Sequence, residues 1–214
     1  MELSSAGFRA PDGAQQVRDS MIRFALAMAV MATAFPAAAQ APAEARAYFE
    51  QFDRFCLATG GDPARALAAA EAEGWIAAPQ AMVDEAVNPN APDVAIRLSA
   101  PADAAPARLL VSASPPMTDR GGLKVRACAI EPAPGVNPDE HQLTALIEAR
   151  LGFTGAMLPV WAFSGTGPFV NEMELILGGM EAMAARAAVT PVFMLNLAPS
   201  GDGGAALALL RMGD

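Results

Sequence analysis

The sequence predicts an α+β fold: one antiparallel sheet of five to seven strands, with helices packed on one face. Three observations lead there. Two helical segments with clear stops occupy residues 43–73. Short alternating segments then follow one another between residues 94 and 128 with only turn residues between them, and such close connections make an antiparallel meander. The chain ends in a hairpin, Val192 to Leu197 and Ala206 to Met212, around Pro199-Ser200-Gly201-Asp202-Gly203-Gly204. Strands in runs, with helices set apart from them, point away from a βαβ alternation.

Each element has a local cause. In residues 43–58, Tyr48, Phe49, Phe52, Phe55 and Cys56 recur at steps of three and four, while Glu44, Glu50 and Asp53 take the other side, which predicts an amphipathic helix. Cys56 falls one turn after Phe52 and shares the aromatic face. Thr59-Gly60-Gly61 stops this helix. Asp62-Pro63 opens the next, with Asp as cap and Pro at the first helical position. Gly74-Trp75 ends it near residue 73, the tryptophan folding back as in a Schellman stop.

Residues 76–92 read ambiguously, and Asn88, Pro89, Asn90 and Pro92 mark a loop. Val94, Ile96 and Leu98 alternate as a strand, Leu109-Leu110-Val111 falls in a second, and Leu123, Val125 and Ala127 alternate with Lys124, Arg126 and Cys128 in a third. Asn137-Pro138-Asp139-Glu140 predicts a helix start, with Asn137 capping and Glu140 completing a capping box. Leu143, Leu146, Ile147 and Leu151 form its buried stripe, and Gly152 stops it. Residues 156–163 read as a strand and Gly165 to Pro168 as a turn. Residues 169–177 fit a strand or the first part of a helix, and residues 180–188 read as helical.

The first forty residues read as an address. From Met21, Arg23 is a short positive region, Phe24 to Phe35 is an uncharged apolar run, and Ala37-Ala38-Ala39 is a cleavage motif. That is the pattern of a secretory signal peptide over residues 21–39. The run is well short of the ~20 residues a spanning helix needs. Residues 1–20 carry Glu2, Asp12 and Asp19 without apolar periodicity, and read as an over-extended start or a disordered leader. Residues 40–214 are then a single domain, expected in the periplasm of a bacterium or secreted. Nothing in them reads as a membrane span. Cys56 and Cys128 are the only cysteines, and in an oxidising compartment they are expected to pair.

Composition excludes several functions. The net charge of −9 argues against nucleic acid as a partner. One histidine and two cysteines cannot build a zinc finger, an iron–sulfur centre or a His-cluster metal site. The glycine runs lack the P-loop lysine and read as turns. Met173, Met180 and Met183 are soft-metal ligands in principle, but Met180 and Met183 at one helical turn read as core. Trp75 and Trp161 read as core anchors. No catalytic residue, metal site or cofactor is implied.

Three groups of residues deserve comparison with acid–base or nucleophilic chemistry. His141 sits in the first turn of a helix, away from its apolar stripe, as a solvent-exposed histidine does. Ser164 lies in Phe-Ser-Gly-Thr-Gly, which is not a nucleophile elbow. The carboxylate pairs Asp84/Glu85, Asp139/Glu140 and Glu172/Glu174 read as surface or capping charge.

Phe55-Cys56-Leu57-Ala58-Thr59, followed by Asp62 to Gly74-Trp75, resembles the opening of a group of uncharacterised exported proteobacterial proteins. There a cysteine-bearing helix leads into an alanine-rich helix ending in Gly-Trp, and a second cysteine lies in a later strand, as Cys128 does here. The resemblance carries no activity with it. The expectation is a soluble periplasmic binding or interaction module without catalysis, whose partner is a small ligand or an envelope protein, as monomer or homodimer. The alternative is a periplasmic hydrolase assembled from distant residues, with Ser164 and His141 as its pair.

Overall fold

The computed structural model describes residues 42–89, 91–117, 122–155, 159–199 and 205–214. The expected leader and signal peptide lie outside these residues, as do residues 200–204 of the expected hairpin loop and the expected strand start at 156–158. In chain order the elements are α1 (Ala43–Phe52), a π-helical turn (Asp53–Leu57), α2 (Pro63–Ala72), β1 (Ile76–Ala77), α3 (Gln80–Ala86), β2 (Asp93–Leu98), β3 (Arg108–Ala113), β4 (Val125–Glu131), α4 (Glu140–Leu151), β5 (Val160–Ser164), β6 (Val170–Asn171), α5 (Glu174–Ala187), β7 (Val192–Pro199) and β8 (Ala205–Met212). A single 3-10 turn, Ala102–Ala104, lies between β2 and β3.

The α+β class holds, with one antiparallel sheet in the order β1-β2-β3-β4-β8-β7-β5-β6. It has eight strands, not five to seven. The added strands are the two-residue β1 and β6 at its edges, too short to show an alternation in sequence. They blunt both edges. At the β6 edge even the Ala162 N–H is taken, by the Met173 thioether at 3.1 Å.

Register sorts the side chains by face. Val111, Cys128, Leu209, Leu195 and Trp161 are successive cross-strand partners through β3, β4, β8, β7 and β5. Opposed residues share a face. These join α1, the π turn, α2 and α4 in the main core, which includes Phe52, Phe55, Ala66, Leu143 and Ile147. The helices are not confined to that face. Val192 and Met212, from the alternate set, form a smaller core with Met183 and Ala187 of α5. The alternation in β7 and β8 leaves apolar residues on both faces, so a helix is needed on the second.

The first helix departs from plain α geometry at its end. Phe55, Cys56 and Leu57 are all buried. In a straight α-helix the first and third of three consecutive residues lie ~200° apart, on nearly opposite sides, so one of them would be exposed. The π turn, closed by the Ala58 N–H donating to Asp53 O at 2.7 Å, is wider and keeps all three inside. The Thr59 hydroxyl donates to Phe55 O at 2.6 Å. At the end of α2, the Trp75 N–H donates to Ala70 O and the Gly74 N–H to Glu71 O, both at 3.0 Å, with Gly74 at φ 84. That is the Schellman stop.

Two starts shift. The cap of α4 is Asp139, whose Oδ1 accepts from the Gln142 N–H at 3.1 Å. Neither an Asn137 cap nor a Glu140 capping box forms, because the nearer Asp side chain takes the free amide. Residues 169–177 hold both elements considered for them, β6 and the start of α5, and α5 kinks at Gly179. The ambiguous stretch resolves into β1 and α3.

Cys56 and Cys128 form a disulfide across 72 positions, with both residues fully buried. Eight residues earlier, the Tyr48 hydroxyl donates to Ile130 O at 2.5 Å and accepts from the Leu207 N–H at 2.9 Å. Ile130 and Leu207 are the last registered pair of β4 and β8. One phenol thus joins two strands where their ladder ends.

Two stability predictions follow from these links. Replacing both cysteines (Cys56→Ala with Cys128→Ala) should cost roughly 2–4 kcal/mol in urea unfolding, from loop entropy in the unfolded chain. Tyr48→Phe should cost about 2 kcal/mol, because it strands a buried N–H and a buried C=O; an unchanged midpoint would show that other groups take over both bonds.

Candidate functional site

Ser164 and His141 fall in different places. Ser164 is paired with Val192 and Val170, on the face covered by α5. Trp161, three residues earlier, points to the main core. His141, exposed in the first turn of α4, shares a recess of about 260 Å³ with Glu140, Thr144, Glu148, Gly155, Pro159 and Trp161. The sheet therefore separates the hydroxyl from the imidazole. The structure does not bring the hydrolase pair together.

The Ser164 hydroxyl has another partner. It is buried and donates to Glu172 Oε1 at 2.8 Å. The same oxygen accepts from Arg186 Nη2 at 2.6 Å and Nε at 3.0 Å. The Arg186 hydrogen bonds hold the Glu172 carboxyl below the usual glutamate range, the Ser164 bond adds to this, and burial opposes it. A carboxylate made less basic in this way is a poor acceptor for a serine proton. The trio fastens β5, β6 and α5 together. Two of the other carboxylates have local roles: Asp84 accepts from Gln80 one helical turn earlier at 2.8 Å, and Asp139 caps α4.

The His141 recess has one unusual wall. The Trp161 indole N–H is buried without a hydrogen-bond partner among the described residues. A Cβ at Gly155 would lie 2.8 Å from that nitrogen, so only glycine lets the backbone pass there. Glu148 Oε1 accepts from the Gly155 N–H at 3.0 Å, which ties the loop after α4 across the recess. Trp75 and Trp161 are both core residues, as their sequence surroundings predict.

A larger opening lies at the β2–β3 end of the sheet's main face. Pro63 and Leu67 of the α2 region, Val83 and Val87 at α3, and Ala95, Val111 and Ala113 of β2 and β3 enclose about 420 Å³. No residue of α3 is buried. The helix stands over the cleft without filling it. Gln80 and Asp93 are the polar groups at its rim. The cleft was not foreseen. Its signal was the Val83/Val87 pair, four apart within the stretch that read ambiguously, which presents two apolar side chains on one side of a short helix.

Among the described residues no group of three His, Cys, Asp or Glu side chains is placed to hold a metal ion. Met183 and Met180 pack with the smaller core. No family model, curated protein or solved structure matches the chain.

The Glu172 network gives a pH signature. A carboxyl with a lowered folded-state pKa contributes stability above the unfolded value of about 4.3 and loses it as the pH falls through the folded value. Between about pH 5 and pH 3, the stability of the parent protein should therefore fall more steeply than that of Glu172→Gln, measured by urea unfolding at each pH. Parallel curves would mean that the trio carries no net stabilisation.

Proposed function

We propose that this chain is an exported, soluble binding module that takes a small apolar group in the cleft between α3 and the sheet, without catalysis of its own. The observation that carries the reading is the cleft itself. At about 420 Å³ it falls in the range of small-molecule sites. Its walls are mainly aliphatic, and it sits under a short helix with no buried residue to anchor it. The signal-peptide pattern of residues 21–39 and the Cys56–Cys128 bridge support an oxidising, extracytoplasmic setting. Among the described residues no helix is long and apolar enough to cross a membrane.

Two measurements test this. Intact mass of the protein recovered from the periplasm should show a chain beginning near Gln40 that gains two alkyl groups only after reduction. A full-length chain with free thiols would overturn the export reading. Titration with the uncharged fluorescent probe N-phenyl-1-naphthylamine should give a saturable rise in emission. Val83→Asp, at a helix that contributes no buried residue, should leave folding intact and weaken the probe by about tenfold or more, some 1.4 kcal/mol. Equal affinity in parent and variant would place the probe elsewhere and remove the cleft from the proposal.

A further inference from the structure

At one end of the sheet's main face, Arg126 of β4 stands directly opposite Arg211 of β8. Like charges opposed across two strands repel. Arg65, in the first turn of α2, adds a third guanidinium close enough for its charge to act on Arg211. Among the described residues none of the three has an ion-pair partner, whereas Arg54, Arg97, Arg108, Arg150 and Arg186 each pair with a carboxylate. In a chain with 23 acidic and 14 basic residues, three neighbouring cations with no carboxylate in ion-pair contact are not explained by a shortage of acids.

The nearby acids Asp62 and Asp214 act on Arg211 from beyond ion-pair distance, and their hydrogen bonds go to other groups. Asp62 caps α2, accepting from the Arg65 N–H at 3.0 Å. Asp214 accepts from Lys124 Nζ at 3.0 Å. Asp93 is two strands from Arg126, beyond Ala113, ~10 Å at the usual strand spacing.

Arg211 and Arg65 are also held in place. Gly60 and Gly61, both at φ 63, lay the loop after the π turn against Arg211. A Cβ at Gly61 would lie 3.4 Å from the Arg211 Cβ. Arg211 Nη1 donates to Gly60 O at 3.3 Å, and its Nε–H is buried without a partner. Arg65 Nη2 reaches Ala58 O at 3.5 Å. Burial, then the charge of Arg126, lowers the Arg211 pKa; Asp62 opposes this, Arg65 adds to it, and Asp214 opposes it.

We propose that Arg126, Arg211 and Arg65 form a binding site for an oxyanion, a phosphate or carboxylate group, which supplies the direct ion-pair contact that the neighbouring carboxylates do not make. Guanidinium forks suit both groups by paired N–H donation. The site is independent of the apolar cleft, although Ala113, which lines that cleft, is the registered neighbour of Arg126.

The test is thermal unfolding and calorimetric titration of the mature chain with sodium phosphate and, separately, sodium acetate. Sodium chloride keeps the ionic strength constant. A saturable rise in midpoint with either oxyanion, as linkage requires for a ligand of the folded state, supports the site. Phosphate alone would assign it to phosphate-bearing ligands, acetate alone to carboxylates. Arg126→Gln should abolish the rise and, without oxyanion, leave the midpoint unchanged or higher, because it removes a repulsion. Arg65→Gln, at an exposed position, is the second variant and should weaken the response without affecting folding. A shift that chloride reproduces, or one that both variants retain, overturns the proposal. So does a loss of stability in Arg126→Gln without oxyanion, which would make that arginine structural.

Discussion

The fold depends on the attachment of its first helix to strand β4 at two points. Tyr48 holds the carbonyl of Ile130, and Cys56 is bonded to Cys128. Both contacts are buried, and both lie on the helix face that also carries Phe52. β4 is the strand where the two halves of the sheet meet. Before it in the chain come β1, β2 and β3. The strands that follow it, β5 to β8, join only through the β4–β8 ladder. A helix fixed to β4 is therefore fixed to both halves at once, and the Leu207 N–H makes the second half a direct partner of the same phenol.

What lies beyond that attachment is positioned by it. The π turn puts Phe55, Cys56 and Leu57 inside together, and the chain must then reverse in little space. Gly60 and Gly61 make the reversal at positive φ, and the path brings α2 back across the sheet. Phe55 meets Trp75 edge to face at 5.1 Å, while Arg97 pairs with Glu71 to bind α2 to β2. α2 then forms one wall of the apolar cleft, and the reversal itself forms the wall beside Arg211. The cleft and the arginine row are two consequences of one chain reversal.

The class of fold was legible because it rests on local signals. The alternation of Val94, Ile96 and Leu98, the Asp62-Pro63 start and the Gly74-Trp75 stop each report on a few neighbouring residues, and each is found in place. The cysteine pairing was legible for a different reason, since two cysteines in a chain that reads as exported have one intramolecular choice. Other features were hidden by the same logic. β1 and β6 are strands only because longer neighbours lend them partners. The Asp139 cap and the Asn137 cap differ by two residues in a segment where either would serve. The arginine row could not be read at all: Arg126 and Arg211 are 85 positions apart, and only the register of β4 against β8 makes them neighbours.

The contrast between the two polar clusters bears on what the protein does. At Ser164, Glu172 and Arg186 every group finds a partner, so the cluster is complete and its carboxylate is weakened as a base. A complete network contributes rigidity but gains little from an incoming ligand, which would have to displace bonds already made. At Arg65, Arg126 and Arg211 the charges are gathered, Arg211 is partly desolvated, and Asp62 and Asp214 act only from beyond ion-pair distance. Such an arrangement costs stability in the free protein, and the cost is recovered when an opposite charge arrives. The disulfide and the Tyr48 bridge tolerate that cost, because they hold β4 and β8 in register whatever the arginines do. A cluster of like charges set in a cross-linked frame is suited to receiving an opposite charge.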